Sequence, residues 1–161
     1  MSLTNAQKAV IKADIIANVD LNSQPNTSDG AFAIAELYNT PATPTFTVWK
    51  SNVPIGDVGK GFNGTELGGM TTGNQTRLQT LAQYFAGGVD PSRSDTRAFF
   101  DDVFSGAGGT ITRANLATLW KRTALRIEKL FSTGIGSVAS PGTMNREGVI
   151  AYQDVLEARN S

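Results

Sequence analysis

The clearest indication of the fold class lies in residues 4–19, TNAQKAVIKADIIANV, which have the pattern of an amphipathic helix. Thr4 and Gln7 stand at the spacing of a capping box, in which each side chain accepts a hydrogen bond from the other residue's backbone amide. Apolar residues then return at three- and four-residue intervals as far as Val19, which predicts one buried helix face. The Asn- and Pro-containing stretch 22–26 ends this helix.

The same spacing recurs along the chain and predicts a mainly α fold. Further helices are expected at about 28–38, 72–86, 94–104, 113–132 and 152–159. The glycine-rich segment 51–73 predicts short helical turns between connections. At 161 residues the chain has the length of one domain. We therefore expect a single compact domain over residues 1–161, with about five helices and Gly-rich loops.

Residues 133–148 form a long stretch without helical spacing, rich in Gly, Ser and Thr. The stretch is too apolar at Ile135 and Val138 for a mere spacer, and loops of this length are usually functional or covered. Two interpretations stay open. The stretch can form a short β-hairpin near the C-terminus with residues 143–152, or it becomes ordered only when a neighbouring subunit packs on it.

The charge of the chain is balanced, with 14 Lys and Arg against 14 Asp and Glu. This balance disfavours a free-standing nucleic-acid binder. Residues 113–132, read as the longest helix, are locally basic, with five basic residues against one acid. Their candidate patch consists of Lys121, Arg122, Arg126 and Lys129. It is either a solvated helix face or a surface that meets DNA phosphates or an acidic neighbouring subunit.

The absence of Cys and His restricts the chemistry that the chain can perform. It excludes disulfides, thiolate nucleophiles, the usual zinc sites and the His-dependent catalytic triads. The best remaining carboxylates, Asp101 and Asp102, are adjacent on a predicted helix and point about 100° apart, which favours a solvated face. The Gly-x-Gly-x-x-Gly pattern at 59–64 lacks the preceding strand of a dinucleotide site. We predict no enzyme activity, no cofactor and no metal site.

Two further features bear on partners and location. Phe99, Phe100, Val103 and Phe104 fall on one predicted helix, where they form part of the core or a partner-binding face. The apolar runs are far shorter than the ~20 residues of a membrane-spanning helix. The N-terminus lacks the pattern of a secretory signal, so a cytoplasm-like compartment is expected.

Five segments of the chain resemble a family of small proteins of tailed bacteriophages and prophages. They are LFSTGIGSVASP at 130–141, EGVIAYQDV at 147–155, LTNAQ at 3–7, PNTSDGA at 25–31 and VW at 48–49. The likeness extends over nearly the whole chain. It implies a virion component that is synthesised in the cytoplasm of the bacterial host.

Among virion components we expect a head-to-tail connector, or adaptor, that binds portal or tail proteins, because such adaptors are helical, form rings and reach their neighbours through extended tails or loops. The stretch 133–148 would then be an inter-subunit arm with the contact residues Ile135, Val138, Pro141 and Met144. The basic patch would make non-specific contact with DNA inside the ring. A capsid decoration or tail structural protein is the alternative, and a small nucleic-acid-binding phage protein is a more distant one.

Overall fold

A computed structural model describes residues 3–161 of the protein. Within that range the chain is mostly helical, so the predicted mainly α class is confirmed, although ten α-helices replace the expected five or so. The helices are α1 (Asn5–Ala17), α2 (Val19–Asn22), α3 (Ser28–Tyr38), α4 (Ile55–Gly61), α5 (Gly64–Gly68), α6 (Thr72–Tyr84), α7 (Ser94–Val103), α8 (Thr110–Leu119), α9 (Arg126–Leu130) and α10 (Tyr152–Asn160). The strands are β1 (Thr47–Trp49), β2 (Lys121–Thr123), β3 (Ser132–Thr133) and β4 (Thr143–Met144).

The chain divides into two compact units. Unit 1 contains the described residues up to Phe46 together with Thr123–Thr133 and Asn145–Ser161. Unit 2 contains Thr47–Arg122 and Gly134–Met144. The single domain expected from the chain length stays a prediction.

Unit 1 is built on the packing of α10 against α1 and α3. The capping box that begins α1 is confirmed, with the Gln7 amide donating to Thr4 Oγ1 over 3.2 Å and the Thr4 amide donating to Gln7 Oε1 over 2.9 Å. The apolar spacing of these helices turns one face of each toward a shared core. Its fully buried members include Ile11, Leu21, Ala31, Ile34, Tyr38, Ile127, Val155 and Ala158.

Two polar side chains attach the connections of unit 1 to its helices. The Asn39 side chain donates to the Ile150 carbonyl over 3.0 Å and accepts from the Ile150 amide over 2.8 Å. The buried Glu128 carboxylate accepts the amides of Leu125 and Gly148, each over 2.8 Å. Buried backbone amides and carbonyls need hydrogen-bond partners. These two side chains provide such partners where the backbone has no regular structure of its own.

Unit 2 has a separate core in which α4 packs against α8. The buried residues include Val53, Val58, Val89, Phe100, Val103, Phe104, Leu116 and Trp120. Three of the four apolar residues predicted on α7 are therefore core residues, and Phe99 is partly buried against them. Gly61 permits the close approach of α4, since a Cβ atom there would lie 2.7 Å from Leu116 Cδ2.

A carboxylate holds the first turn of α8. Glu66 accepts the amides of Ile111 and Thr112 over 2.8 and 2.7 Å, two of the groups that the start of a helix leaves unpaired. Burial raises the pKa of Glu66, but hydrogen bonds from Thr112 and Ile111 and the charge of Arg113 outweigh it and lower that pKa below its usual value. The carboxylate is therefore held in its charged form.

The prediction of one helix over 113–132 is wrong. Helix α8 ends at Leu119, and α9 begins at Arg126. The reason is tertiary, because backbone groups between the two helices bond elsewhere. The Trp120 carbonyl accepts the Lys50 amide over 2.8 Å within unit 2, and the Ala124 amide donates to the Phe46 carbonyl over 2.8 Å within unit 1. Such bonds override the weak helical preference of the sequence.

Alanine substitutions at two helical glycines test the packing, because we expect them to change the free energy of unfolding in different directions. A Cβ atom at Gly30 would overlap the carbonyl oxygen of Pro25, whereas one at Gly56 would meet nothing within 4 Å. We expect Gly30→Ala to lower the free energy of unfolding by about 1–3 kcal/mol through overpacking. The control Gly56→Ala should leave it unchanged or raise it by up to about 1 kcal/mol. Urea unfolding measures both, and equal effects would contradict this packing.

Candidate functional site

The candidate site is the loop of unit 2 between Gly134 and Met144, which runs beside β1. The Thr47 amide donates to the Gly136 carbonyl over 2.6 Å, and the Gly142 amide donates to the Thr47 carbonyl over 2.8 Å. The Trp49 amide donates to the Gly142 carbonyl over 3.0 Å. These three bonds fix both arms of the loop on one strand.

Local backbone geometry also shapes the loop. Gly134 and Gly136 have φ angles of +96° and +71°, in the left-handed region that glycine adopts without a side-chain penalty. The Ser137 amide donates to the Ser140 carbonyl over 3.1 Å, and the Ser140 amide donates to Ser137 Oγ over 2.9 Å. The tip is therefore a closed turn. The short strands β3 and β4 at its ends agree with the short β-structure predicted near the C-terminus.

The four predicted contact residues of the loop differ in exposure. Ile135 and Val138 have 77% and 71% of their surface exposed, whereas Pro141 and Met144 are half-buried. Met144 Sδ lies 3.3 Å from an Arg122 guanidinium nitrogen. Two of the four residues are thus exposed apolar side chains of unit 2, and the other two are partly covered.

Lys121, Arg97 and Trp49 form a cationic and aromatic cluster beside the loop. Lys121 Nζ donates to the Val138 carbonyl over 2.9 Å and lies 5.2 Å from the centre of the Trp49 ring. The Arg97 guanidinium lies 4.4 Å from the same ring and donates to the carbonyls of Pro91 and Ser92. Cations at these distances from an indole ring are attracted to its π face. Arg97 was not among the predicted site residues, because no local sequence pattern connects it to Trp49.

The four residues of the predicted basic patch do not lie on one helix. Lys121 and Arg122 belong to β2 in unit 2, whereas Arg126 and Lys129 belong to α9 in unit 1. All four side chains are half-buried, and the first two contact the loop. The patch was inferred from helical spacing, which ends at Leu119. Its contact with DNA or with a partner stays a prediction.

Asp102 is one of the two adjacent carboxylates considered as catalytic candidates. Asp102 pairs with Arg77 over 2.6 Å on an exposed part of unit 2. Residues 3–161 contain no group of three or more Asp and Glu side chains placed to hold a metal ion. Within the same range, no helix has the length and apolar character needed to cross a bilayer.

Comparisons with known proteins found no relative of this chain. No protein family matches this chain, and neither a curated protein nor a solved structure matches it.

Removal of the ammonium group below the loop should loosen it. We expect Lys121→Ala to speed hydrogen exchange at the bonded amides of Ser137, Ser140 and Gly142 by about threefold to tenfold, because a charge-assisted hydrogen bond is lost. The control Lys60→Ala removes an exposed cation that pairs with Asp57, outside the loop. Mass-spectrometric exchange over peptides spanning 134–142 gives the rates. Unchanged exchange in Lys121→Ala would show that Lys121 does not hold the loop.

Proposed function

We propose that this protein is a structural subunit of a tailed-bacteriophage particle, with copies that form a ring as a head-to-tail connector. The observation that carries the proposal is the pair of exposed apolar side chains, Ile135 and Val138, on a loop fixed by hydrogen bonds. The resemblance of five segments to small phage proteins supports the virion assignment. Docking to other proteins is the activity that this surface suits.

This loop suits docking because little free energy is spent on ordering its backbone when it binds a partner. Full burial of a Val or Ile side chain contributes about 1.5–3 kcal/mol, and part of that is lost when a flexible segment must first be fixed. Here the bonds to Thr47 and Trp49 have already fixed the backbone. A head-to-tail contact made by this loop repeats around a ring, so modest contacts add up.

Two neighbouring assignments use the same surface. A capsid decoration or tail structural protein would also dock through an exposed apolar loop, and the position of the subunit in an intact particle distinguishes these roles. Non-specific contact with DNA is a secondary part of the proposal, carried by the basic residues 121–129. Because Lys121 and Arg122 contact the loop and the whole chain has no net charge, protein contacts take precedence.

Assembly through the loop can be tested with matched surface changes. We expect the double change Ile135→Ser and Val138→Ser to weaken self-association by about thirtyfold or more, since each interface loses two buried side chains. The control is Val19→Ser with Val149→Ser, residues that are 82% and 67% exposed outside the loop. Mass photometry over a concentration series should detect rings in the wild type and in the control.

Two results would count against the proposal. A wild type that stays monomeric at every concentration would remove the ring. A loop variant that assembles as well as the wild type would leave the ring but remove the loop from its interface.

A further inference from the structure

Unit 1 contains an open groove of about 520 Å³ that is separate from the loop. Its walls come from the end of α1, the residues that follow α3, and α9, and they include Asp14, Asn18, Thr40, Thr43, Arg126 and Lys129. The volume is within the range of clefts that bind small molecules or a few residues of a peptide. The groove thus combines two cations, one acid and several uncharged polar groups.

The Arg126 guanidinium has donors to spare. In the part of the chain that the structure describes, its side chain makes no hydrogen bond, and its closest acidic atom is Asp14 Oδ2 at 3.9 Å. The group lies 5.6 Å from the centre of the Tyr38 ring, which steadies it without using its N–H groups. A guanidinium has five donors in a planar fork that matches a carboxylate.

Lys129 supplies a second cation to the same groove. Lys129 Nζ is 3.4 Å from the Pro44 carbonyl oxygen, a long contact, and lies 5.9 Å from the centre of the Phe46 ring. An ammonium group has three donors, so most of its capacity is unused. Both cations stand on α9, whose position is set by the buried Glu128.

Asp14 is held in place by a buried tyrosine. The Tyr38 side chain is fully buried, and its hydroxyl donates to Asp14 Oδ2 over 2.9 Å. Burial raises the pKa of Tyr38, and the charge of Asp14 and the hydrogen bond to it raise that pKa further. The hydroxyl therefore keeps its proton and continues to hold the carboxylate. Asp14 remains at the groove as a fixed negative charge.

We propose that this groove binds carboxylate side chains in an acidic segment of a partner protein, with Arg126 and Lys129 as the donors. Such a segment places isolated acids between peptide groups, which can use the uncharged Asn18, Thr40 and Thr43. The site does not depend on the proposed ring, because all of its residues belong to unit 1 and none to the loop.

Charge favours a peptide over DNA in this groove. A nucleic-acid backbone carries a phosphate at every nucleotide and is bound through several cations at once. The groove offers two cations and sets the fixed charge of Asp14 beside them. An acidic peptide can place its carboxylates near Arg126 and Lys129 and keep other groups near Asp14.

The test measures binding of a fluorescein-labelled eight-residue peptide, in which glutamate alternates with serine, to the full chain at low ionic strength, by fluorescence anisotropy. We expect Arg126→Gln to weaken binding by about tenfold or more and Lys129→Gln by about threefold to tenfold. Asp14→Asn should strengthen binding by about threefold to tenfold, because it removes a repulsive charge and can still accept from Tyr38. The control Lys60→Gln removes a cation outside the groove and should leave affinity unchanged.

A fluorescein-labelled single-stranded DNA of matched net charge forms the second arm of the test. The proposal is overturned if the peptide does not bind, if all variants bind it equally, or if Asp14→Asn weakens binding. It is also overturned if this DNA binds more tightly than the peptide with the same sensitivity to Arg126→Gln, since the groove would then bind phosphates. Thermal melts identify any variant that fails to fold, and the opposite signs of Asp14→Asn and Lys129→Gln then carry the test.

Discussion

The exposed apolar surface of unit 2 depends on the pairing of β1, a three-residue strand, with a loop that has no regular structure for most of its length. The backbone of Thr47 and Trp49 bonds to Gly136 and Gly142. A loop of this length would otherwise leave its amides and carbonyls to water and move freely. Because β1 satisfies these groups, the loop keeps one shape and can expose apolar side chains without collapsing over them.

In unit 1, side chains instead of a strand provide hydrogen-bond partners for the backbone. Asn39 and Glu128 bond to the backbone of Ile150, Gly148 and Leu125. Removal of one partner from a buried arrangement of this kind leaves a polar group unpaired, which costs about 1–3 kcal/mol for a neutral group and more for a charge. These bonds anchor irregular segments in both units, and the apolar loop surface of unit 2 lies on one of them.

The sequence predicted what is determined locally. The capping box of Thr4 and Gln7 and the apolar spacing after it depend on neighbours within four residues, and α1 follows them. The sequence also singled out Ile135 and Val138 as unusually apolar; both are exposed on the loop, and their role as contact residues stays a prediction. The break after Leu119 could not be read in this way, because it depends on bonds from Lys50 and Phe46, far away in sequence. The predicted basic patch was based on helical spacing. Because the helix ends at Leu119, its four residues are divided between the two units.

The most direct test of the central claim is the mobility of the loop in the free, unassembled chain. Nuclear magnetic resonance relaxation of the backbone amides from 134 to 142 gives their order parameters, with α1 as an internal reference. If β1 fixes the loop before any partner binds, the order parameters should be near the value of about 0.85 found for rigid backbone. Values below about 0.6 across these residues, beside a rigid α1, would contradict the account.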